Sequence, residues 1–396
     1  MNRELPHAFD DGVARRRERS LRAQNLQRLE DELLAAWDLG RNIVLAWSVH
    51  GHGVAILAVP HHLPAEILCA PPEEGPTSAG DKRTALLRVI CGVKQLPADR
   101  MAALGTMLGI EPRQIKFRGR HAVDALDSAT VEQMVRRYSV SYFEERAIFL
   151  VDIVGFSRLS PVVQMTQLNN MAYSLNAAYE MLLGHGLDIE FARTTTGDGF
   201  YVWSRRDGVE GNIQLYHLMH LFLAHNALEL RRSELSIVPV VKCAFHVGAH
   251  YEFYQQDSLR PTRYNYVVGD VTVTLARIME HAMPGQILVG DFLVTPPEIC
   301  SPESRASPLG TIEFIERLQY GLDRLSGLVL AGRPLTAIRC YLTGRKNDIN
   351  EYDVQPYRMT DKHGMAHMAY NAKVNIYCED RPPIFLGLQH SFLNAQ

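Results

Sequence analysis

The stretch Phe149-Leu-Val-Asp-Ile-Val-Gly-Phe-Ser157 sets one carboxylate, Asp152, at the end of an apolar strand pattern and follows it directly with a glycine loop. An oxygen ligand there suits a hard cation, and the backbone N–H groups of a glycine loop before a helix suit a phosphate. Taken alone, such an acid is more often a turn residue or a helix cap. Downstream, Thr194-Thr-Thr-Gly-Asp-Gly199 interrupts a second strand pattern with Asp198, in what is by itself an ordinary hairpin turn. Tyr264-Asn-Tyr-Val-Val-Gly-Asp270 then leads into a helix carrying Arg277, and Pro284-Gly-Gln-Ile-Leu-Val-Gly290 follows.

Around these segments the hydrophobic period alternates between that of a strand and that of a helix. Strands are predicted at 147–152, 188–196, 199–204, 237–250, 264–268 and 286–290, with weaker ones near 327–331 and 337–343. Helices are predicted at 161–183, 211–231 and 270–282. The first of these has Ser160 as N-cap, Pro161 at its first position and Gly184 after its end. Its face of Met165, Leu168, Ala172, Leu175, Tyr179 and Leu182 would lie on a sheet, so two-layer packing of helices on strands is expected.

Upstream, residues 14–38 read as an amphipathic helix with Leu26, Leu29, Leu33 and Trp37 on one face, and its basic start reads most simply as a solvated surface. Residues 42–49 and 54–59 flank His50-Gly-His-Gly53 as a β-hairpin, and Pro71–Gly80 is a loop rich in breakers. Residues 83–110 and 129–145 look helical, the latter as a connection into the strand of Asp152. Residues 1–140 therefore form a separate α+β region without a functional motif.

With 396 residues and 46% hydrophobic composition the chain can bury a large core and divide into two or three domains. A net charge of -3 argues against nucleic acid as a bulk partner. Cys69, Cys91, Cys243, Cys300, Cys340 and Cys378 form no Cys-x-x-Cys pair, so no zinc ribbon or redox motif is expected. The polar N-terminus lacks a signal-peptide core and no run reaches a spanning length, so no membrane association is expected and the expectation is a soluble cytoplasmic protein. Histidine pairs His217/His220 and His363/His367 have helical spacing, but neither has a third ligand nearby in sequence, so packing is preferred to zinc.

In this order the segments around Asp152, Asp198, Arg277 and Gly290 resemble the catalytic domain of the class III nucleotidyl cyclases, the adenylate/guanylate cyclase family. The resemblance spans 141–345 and implies a ferredoxin-like domain, helices packed on a mostly antiparallel sheet, with 346–396 as a C-terminal extension. It implies cyclisation of a nucleoside triphosphate to a 3′,5′-cyclic nucleotide with release of pyrophosphate. Two Mg2+ or Mn2+ ions per site would be held by Asp152, Asp198 and the Ile153 carbonyl, the first neutralising charge and acidifying the attacking hydroxyl. Gly155, Phe156 and Ser157 would face the triphosphate, although for Ser157 a local turn hydrogen bond is equally in keeping with the sequence.

Arg277 follows Gly269 at the offset of the family's transition-state arginine, where a guanidinium meets charge developing on the α-phosphoryl oxygens. The ribose-orienting asparagine of the family is replaced by Val273, with Thr274 a partial substitute. In the family the metal aspartates and the arginine meet across an interface, and since this chain carries all of them a head-to-tail homodimer is implied. The two positions that read the base depart from the purine residues and are Thr194 and Tyr266. A tyrosine beside a threonine narrows a pocket toward a pyrimidine, similar to the bacterial Pycsar cyclases that make cyclic CMP or cyclic UMP in anti-phage signalling. Tyr138 and Tyr142 are further aromatics upstream, with core packing the alternative. An adenylate cyclase, or a silent cyclase-like NTP sensor, are the other expectations.

Overall fold

Runs of β-branched and aromatic residues become strands here, and each strand's alternation decides which helices it meets. A computed structural model describes residues 7–70, 78–119, 127–233, 237–256, 263–296, 307–330, 332–349, 351–380 and 382–390. The chain divides into two units, Met1–Tyr142 with Tyr251–Tyr266, and Phe143–His250 with Val267–Gln396.

In the first unit α1 (His7–Trp37) precedes the hairpin β1 (Asn42–His50) and β2 (Gly53–Pro60), then α2 (Leu63–Cys69), α3 (Ser78–Cys91), α4 (Ala98–Leu108), β3 (Arg113–Lys116) and α5 (Ser128–Arg136). The three strands are antiparallel in the order β1-β2-β3. Leu29, Leu33 and Trp37 of α1 pack with Val131, Met134 and Val135 of α5 in one apolar cluster, while α3 and α4 join a second one with Leu45, Leu57 and Val59. The face predicted for α1 is therefore the buried one. The helical stretch expected over 83–110 is broken between Cys91 and Ala98, where Gly92 and Pro97 end one helix and begin the next. Of the loop expected at Pro71–Gly80, residues 71–77 lie outside the described residues and 78–80 belong to α3.

The helix expected to run to 145 stops at Arg136. The run Val140-Ser-Tyr-Phe143 is already strand, the start of β4 (Val140–Ile153), because Val140 and Tyr142 pack on an apolar cluster that a helix would not let both reach. Next come α6 (Pro161–Gly184), β5 (Phe191–Thr195), β6 (Gly199–Ser204), α7 (Gly208–Arg232), β7 (Val241–Gln256), β8 (Arg263–Val268), α8 (Asp270–Glu280), β9 (Ile287–Gly290), β10 (Leu293–Val294), β11 (Leu309–Gly310) and α9 (Thr311–Leu322). The C-terminal part adds β12 (Val329–Leu330), β13 (Arg333–Thr343), β14 (Arg345–Lys346), β15 (Tyr352–Asp353), β16 (Tyr357–Thr360), β17 (Ala366–Cys378) and β18 (Ile384–Leu386).

The main sheet runs β12-β13-β17-β9-β7-β4-β6-β5, with β16 and β18 also on β17 and β8 on β7. It is mostly antiparallel, β7 and β9 being a parallel pair. The mixed class and the antiparallel sheet are those expected. Successive residues of β4 serve opposite faces: Ala147, Phe149 and Val151 join the core under α6, α7 and α9, while Ile148 and Leu150 join the core under α8. On α6 the buried apolar residues are Met171, Leu175, Ala178 and Leu182, while Met165 is exposed, so the sheet-facing stripe lies slightly off the predicted one.

Residues 346–396 are not an appendage, because β17 lies inside the main sheet between β13 and β9. Nor do His363 and His367 share a helix. The first lies in the turn after β16 and the second on β17. His217 and His220 do lie on α7, where both are buried in the core.

Candidate active site

The antiparallel register of β4 and β6 places Asp152 opposite Gly199, so the acid that ends one strand lies beside the acid that precedes the other. The Ile153 N–H donates to the Asp198 carbonyl at 3.1 Å and closes the strands at this end. Glycine is needed at 199, since a Cβ there would run into the Val151 carbonyl. The turn itself needs Gly197, whose φ is +103°, and its N–H donates to the Thr195 hydroxyl at 3.1 Å. The sequence thus builds a tight hairpin whose geometric result is a pair of carboxylates.

Burial pushes the Asp152 carboxyl above the usual carboxylate range and the neighbouring Asp198 pushes it the same way, while Lys242 opposes both. Lys242, near the start of β7, brings its Nζ within 3.4 Å of Asp152 Oδ2 and donates to the Met279 carbonyl at 3.0 Å. No motif had singled out Lys242. The one signal was a cation inside the otherwise apolar run Val240-Val-Lys-Cys-Ala-Phe245. Two repelling carboxylates, one of them paired with a lysine ammonium, fit a divalent cation, which would relieve the repulsion. Among the described residues no three His, Cys, Asp or Glu side chains cluster to hold a metal, so a backbone oxygen such as that of Ile153 would have to complete the set.

Gly155, at φ +70°, turns the chain out of β4 into a single 3-10 turn, Phe156–Arg158, ahead of α6. The Val154 N–H is committed to the Val240 carbonyl at 2.9 Å and the Gln164 amide donates to the Phe156 carbonyl at 3.0 Å, which fixes the loop from both sides. Phe156 packs on the core beneath, whereas Ser157 is exposed. The leading N–H groups of such a turn have no acceptor in their own ladder.

A second set of side chains gathers on α8. Val271, Leu275, Ile278 and Met279 are buried against the sheet, leaving Arg277 on the flank of the helix, with its side chain 19% exposed. Its Nη1 donates to Glu280 Oε1 at 2.6 Å and its Nε lies 3.5 Å from Asp361 Oδ2. The helix can start where it does because Gly269 approaches β7 closely, where a Cβ would stand 2.6 Å from the Ala249 carbonyl. Thr274 is half-buried and Val273 is 49% exposed.

Of the positions expected to read a base, Thr194 lies on β5 opposite Tyr201 of β6, and the Tyr201 hydroxyl donates to the Thr272 carbonyl at 3.1 Å. Tyr201 carries no motif and was not foreseen. Tyr266 belongs to the other unit, where its ring stacks on Phe253 with centroids 5.1 Å apart and planes 10° from parallel. Tyr138 is buried with its hydroxyl donating to Glu30, and Tyr142 packs on Tyr251, so packing accounts for both. The structure therefore joins Asp152, Ile153, Asp198 and Lys242 in one place and holds Arg277 in a distinct set.

No family model and no curated protein sequence matches the chain. Among solved structures it is similar to the catalytic core of a rhodopsin-guanylyl cyclase with converted specificity in complex with ATPalphaS, at 13% identity and a TM-score of 0.35 over 61% of this chain and 98% of that one. It is similar to the adenylyl cyclase CyaB from P. aeruginosa, at 12% identity and a TM-score of 0.35 over 59% of this chain and 95% of that one. It is also similar to the guanylate cyclase domain of RhGC from Catenaria anguillulae in complex with GTP, at 12% identity and a TM-score of 0.34 over 60% and 98%. At such identities and scores these likenesses carry none of the weight below, which rests on the side chains.

Proposed function

We propose that the chain is a nucleotidyl cyclase that converts a nucleoside triphosphate to a 3′,5′-cyclic nucleotide and pyrophosphate. The observation that carries this is the pairing of Asp152 and Asp198 at the β4–β6 register, with Lys242 against Asp152. Asp152, Asp198 and the Ile153 carbonyl would hold Mg2+ or Mn2+, which supplies charge neutralisation at the phosphates and a more acidic 3′-hydroxyl. Lys242 adds a fixed positive charge beside the triphosphate, and the N–H groups from Gly155 to Ser157 bind its oxygens. Arg277 stabilises charge gathering on the α-phosphoryl group, and Thr274 orients the ribose in place of an asparagine at Val273.

Arg277 is tied to Glu280 and Asp361 and not to the two acids, in keeping with a head-to-tail homodimer in which each site takes its acids from one subunit and its arginine from the other. Exposed apolar side chains of the second unit support such an interface: Val268 ends β8 and Val273 stands out from α8. For the base we favour a pyrimidine, giving cyclic UMP or cyclic CMP as a messenger in bacterial anti-phage signalling. Thr194 supports it, an uncharged residue where the resemblance implies a lysine or a glutamate for a purine. Among the described residues no helix is long and apolar enough to cross a membrane.

Incubation of the purified chain with each of the four NTPs and manganese, with products identified by mass, tests this. One cyclic nucleotide in excess over the others is expected, and its loss in Asp152→Ala and Asp198→Ala. Intact activity in those variants sinks the assignment of the acids. Val273 at the ribose position favours a second reading, an NTP sensor that binds without turnover. Bound NTP without cyclic product would establish it.

A further inference from the structure

We propose that Asp361 is the positioning residue of Arg277, holding the guanidinium by its Nε so that its two Nη groups present together to a phosphoryl group. The inference rests on the cyclase reading above. Asp361 follows β16 and opens the turn into β17, far from Arg277 in sequence. Its Oδ1 accepts the N–H groups of His363 and Met365, both at 2.9 Å, so the carboxylate is fixed to its own turn. The other oxygen, Oδ2, turns away from that turn: it is hydrogen-bonded with His367 Nε2 at 3.4 Å and stands 3.5 Å from Arg277 Nε. The Asp361 side chain is only 3% exposed, and the Arg277 Nε is itself buried without a hydrogen-bond partner, so Oδ2 meets it as an ion pair and not as a hydrogen-bond acceptor. Burial alone would raise the Asp361 carboxyl, but the Met365 and His363 N–H groups and His367 hold it below its ordinary value, so it meets the guanidinium as an anion.

A turn cap alone needs none of this. An amide oxygen caps two N–H groups as well as a carboxylate does, whereas the second oxygen, shared between His367 Nε2 and the buried Arg277 Nε, supplies a fixed negative charge that an amide would not. A guanidinium whose buried Nε is paired with a fixed carboxylate is restrained about its long stem, and its planar fork is then presented ready for bidentate contact. The Nη1 partner differs in kind. Glu280 is 51% exposed and one helical turn away, an exposed pair worth little and easily displaced by a phosphoryl oxygen. Asp361 is therefore the permanent anchor and Glu280 the placeholder.

The test compares Asp361→Asn, Glu280→Gln and Arg277→Ala in the full chain. Asp361→Asn keeps the two turn hydrogen bonds and the melting temperature. It should lower kcat about 10- to 100-fold with KM within about two-fold, the pattern of a lost transition-state contact. Glu280→Gln should leave kcat equal to or about two-fold above wild type. By nitrogen-15 NMR the Arg277 Nε–H, protected from solvent exchange in the wild type, should exchange faster in Asp361→Asn and unchanged in Glu280→Gln. A slow Arg277→Ala beside an Asp361→Asn of wild-type kcat and unchanged Nε–H exchange overturns the positioning role and leaves the cyclase reading standing. A wild type that makes no cyclic product overturns the cyclase reading, and the Nε–H exchange then still decides whether Asp361 grips Arg277.

Discussion

The acid set and the arginine set differ in how the chain assembles them. Asp152 and Asp198 are brought together by neighbouring strands of one antiparallel ladder, so that each acid sits in a local turn whose glycines announce it. Arg277 is oriented by Asp361, which arrives from the C-terminal part of the chain through a strand that enters the middle of the sheet. The first arrangement is written in short motifs. The second depends on a contact between two segments that nothing in either one foretells, and it places a residue outside the expected catalytic domain among those that matter to it.

The largest expected effect tests whether the two sets serve one reaction across an interface. Asp198→Ala and Arg277→Ala should each lower kcat by on the order of 10²- to 10³-fold. Mixed in equal amounts, the two dead chains should recover about a quarter of wild-type activity, because random pairing gives half of the dimers one intact site in two. Recovery in the mixture, measured by cyclic product at saturating manganese, fails to appear if both sets act within one chain.

Acid sensitivity of the fold is next in size and sets the window in which the two sets can be compared at all. His217, His220 and His246 are buried without charge, and burial lowers them to about 4, about 3 and about 4 from an ordinary 6.5. The unfolded chain therefore binds more protons than the fold between these values and 6.5. The stability that neutral burial contributes is whole above pH 6.5 and is lost as pH falls toward 4, by about 1.4 kcal/mol per pH unit for each histidine. Urea unfolding at pH 7.5 and 5.5 should show the drop. Replacing His220 by leucine, of similar bulk, should shrink it by about a third.

Most of the second unit was legible because its elements are amphipathic on their own terms. The hairpin around Asp198 and the helix of Arg277 lie within a few residues of the predicted bounds, and the strand of Asp152 ends within one residue of them but starts seven residues earlier. β17 was illegible for a physical reason. Asn371, Lys373 and Asn375 make one of its faces look solvated, yet Asn371 is fully buried, accepting from the Gln286 amide at 2.9 Å and donating to the Thr343 hydroxyl at 2.6 Å and the Leu388 carbonyl at 2.7 Å. A polar stripe satisfied by three distant segments reads, in sequence, as surface. Lys242 was missed for the converse reason, since a lone lysine in an apolar run is ordinarily a strand-end residue with its ammonium in water.

Lys242 offers a more modest way to sharpen the comparison, because its ion pair is with Asp152, and its contact with α8 is to a backbone carbonyl, that of Met279, and not to Arg277. Lys242→Met removes the one cation beside Asp152, so the mutual repulsion of the carboxylates rises and binding of a dication is favoured. Less manganese should be needed for half-maximal activity, while kcat falls about ten-fold through loss of a charge beside the phosphates. Arg277→Ala should leave the manganese requirement where it is. If both substitutions move that requirement alike, the two sets are not separable in the way their contacts suggest.

The smallest effect concerns the base. On the strand pair that carries Asp198, the Tyr201 hydroxyl is committed to the Thr272 carbonyl, whereas the half-buried hydroxyl of Thr194 opposite it has no hydrogen-bond partner among the described residues. Of the two hydroxyls it is the one left to meet a base edge. Thr194→Ala should therefore lower kcat/KM for the preferred NTP by about five-fold, the worth of one neutral hydrogen bond near 1 kcal/mol. Turnover of the disfavoured NTPs should stay within about two-fold, and so should the Arg277→Ala defect measured in the same background, since independent sites add. An equal loss on all four NTPs would mean that Thr194 supports the Asp198 hairpin and does not read the base, and the acid set would then contain no specificity residue on β5.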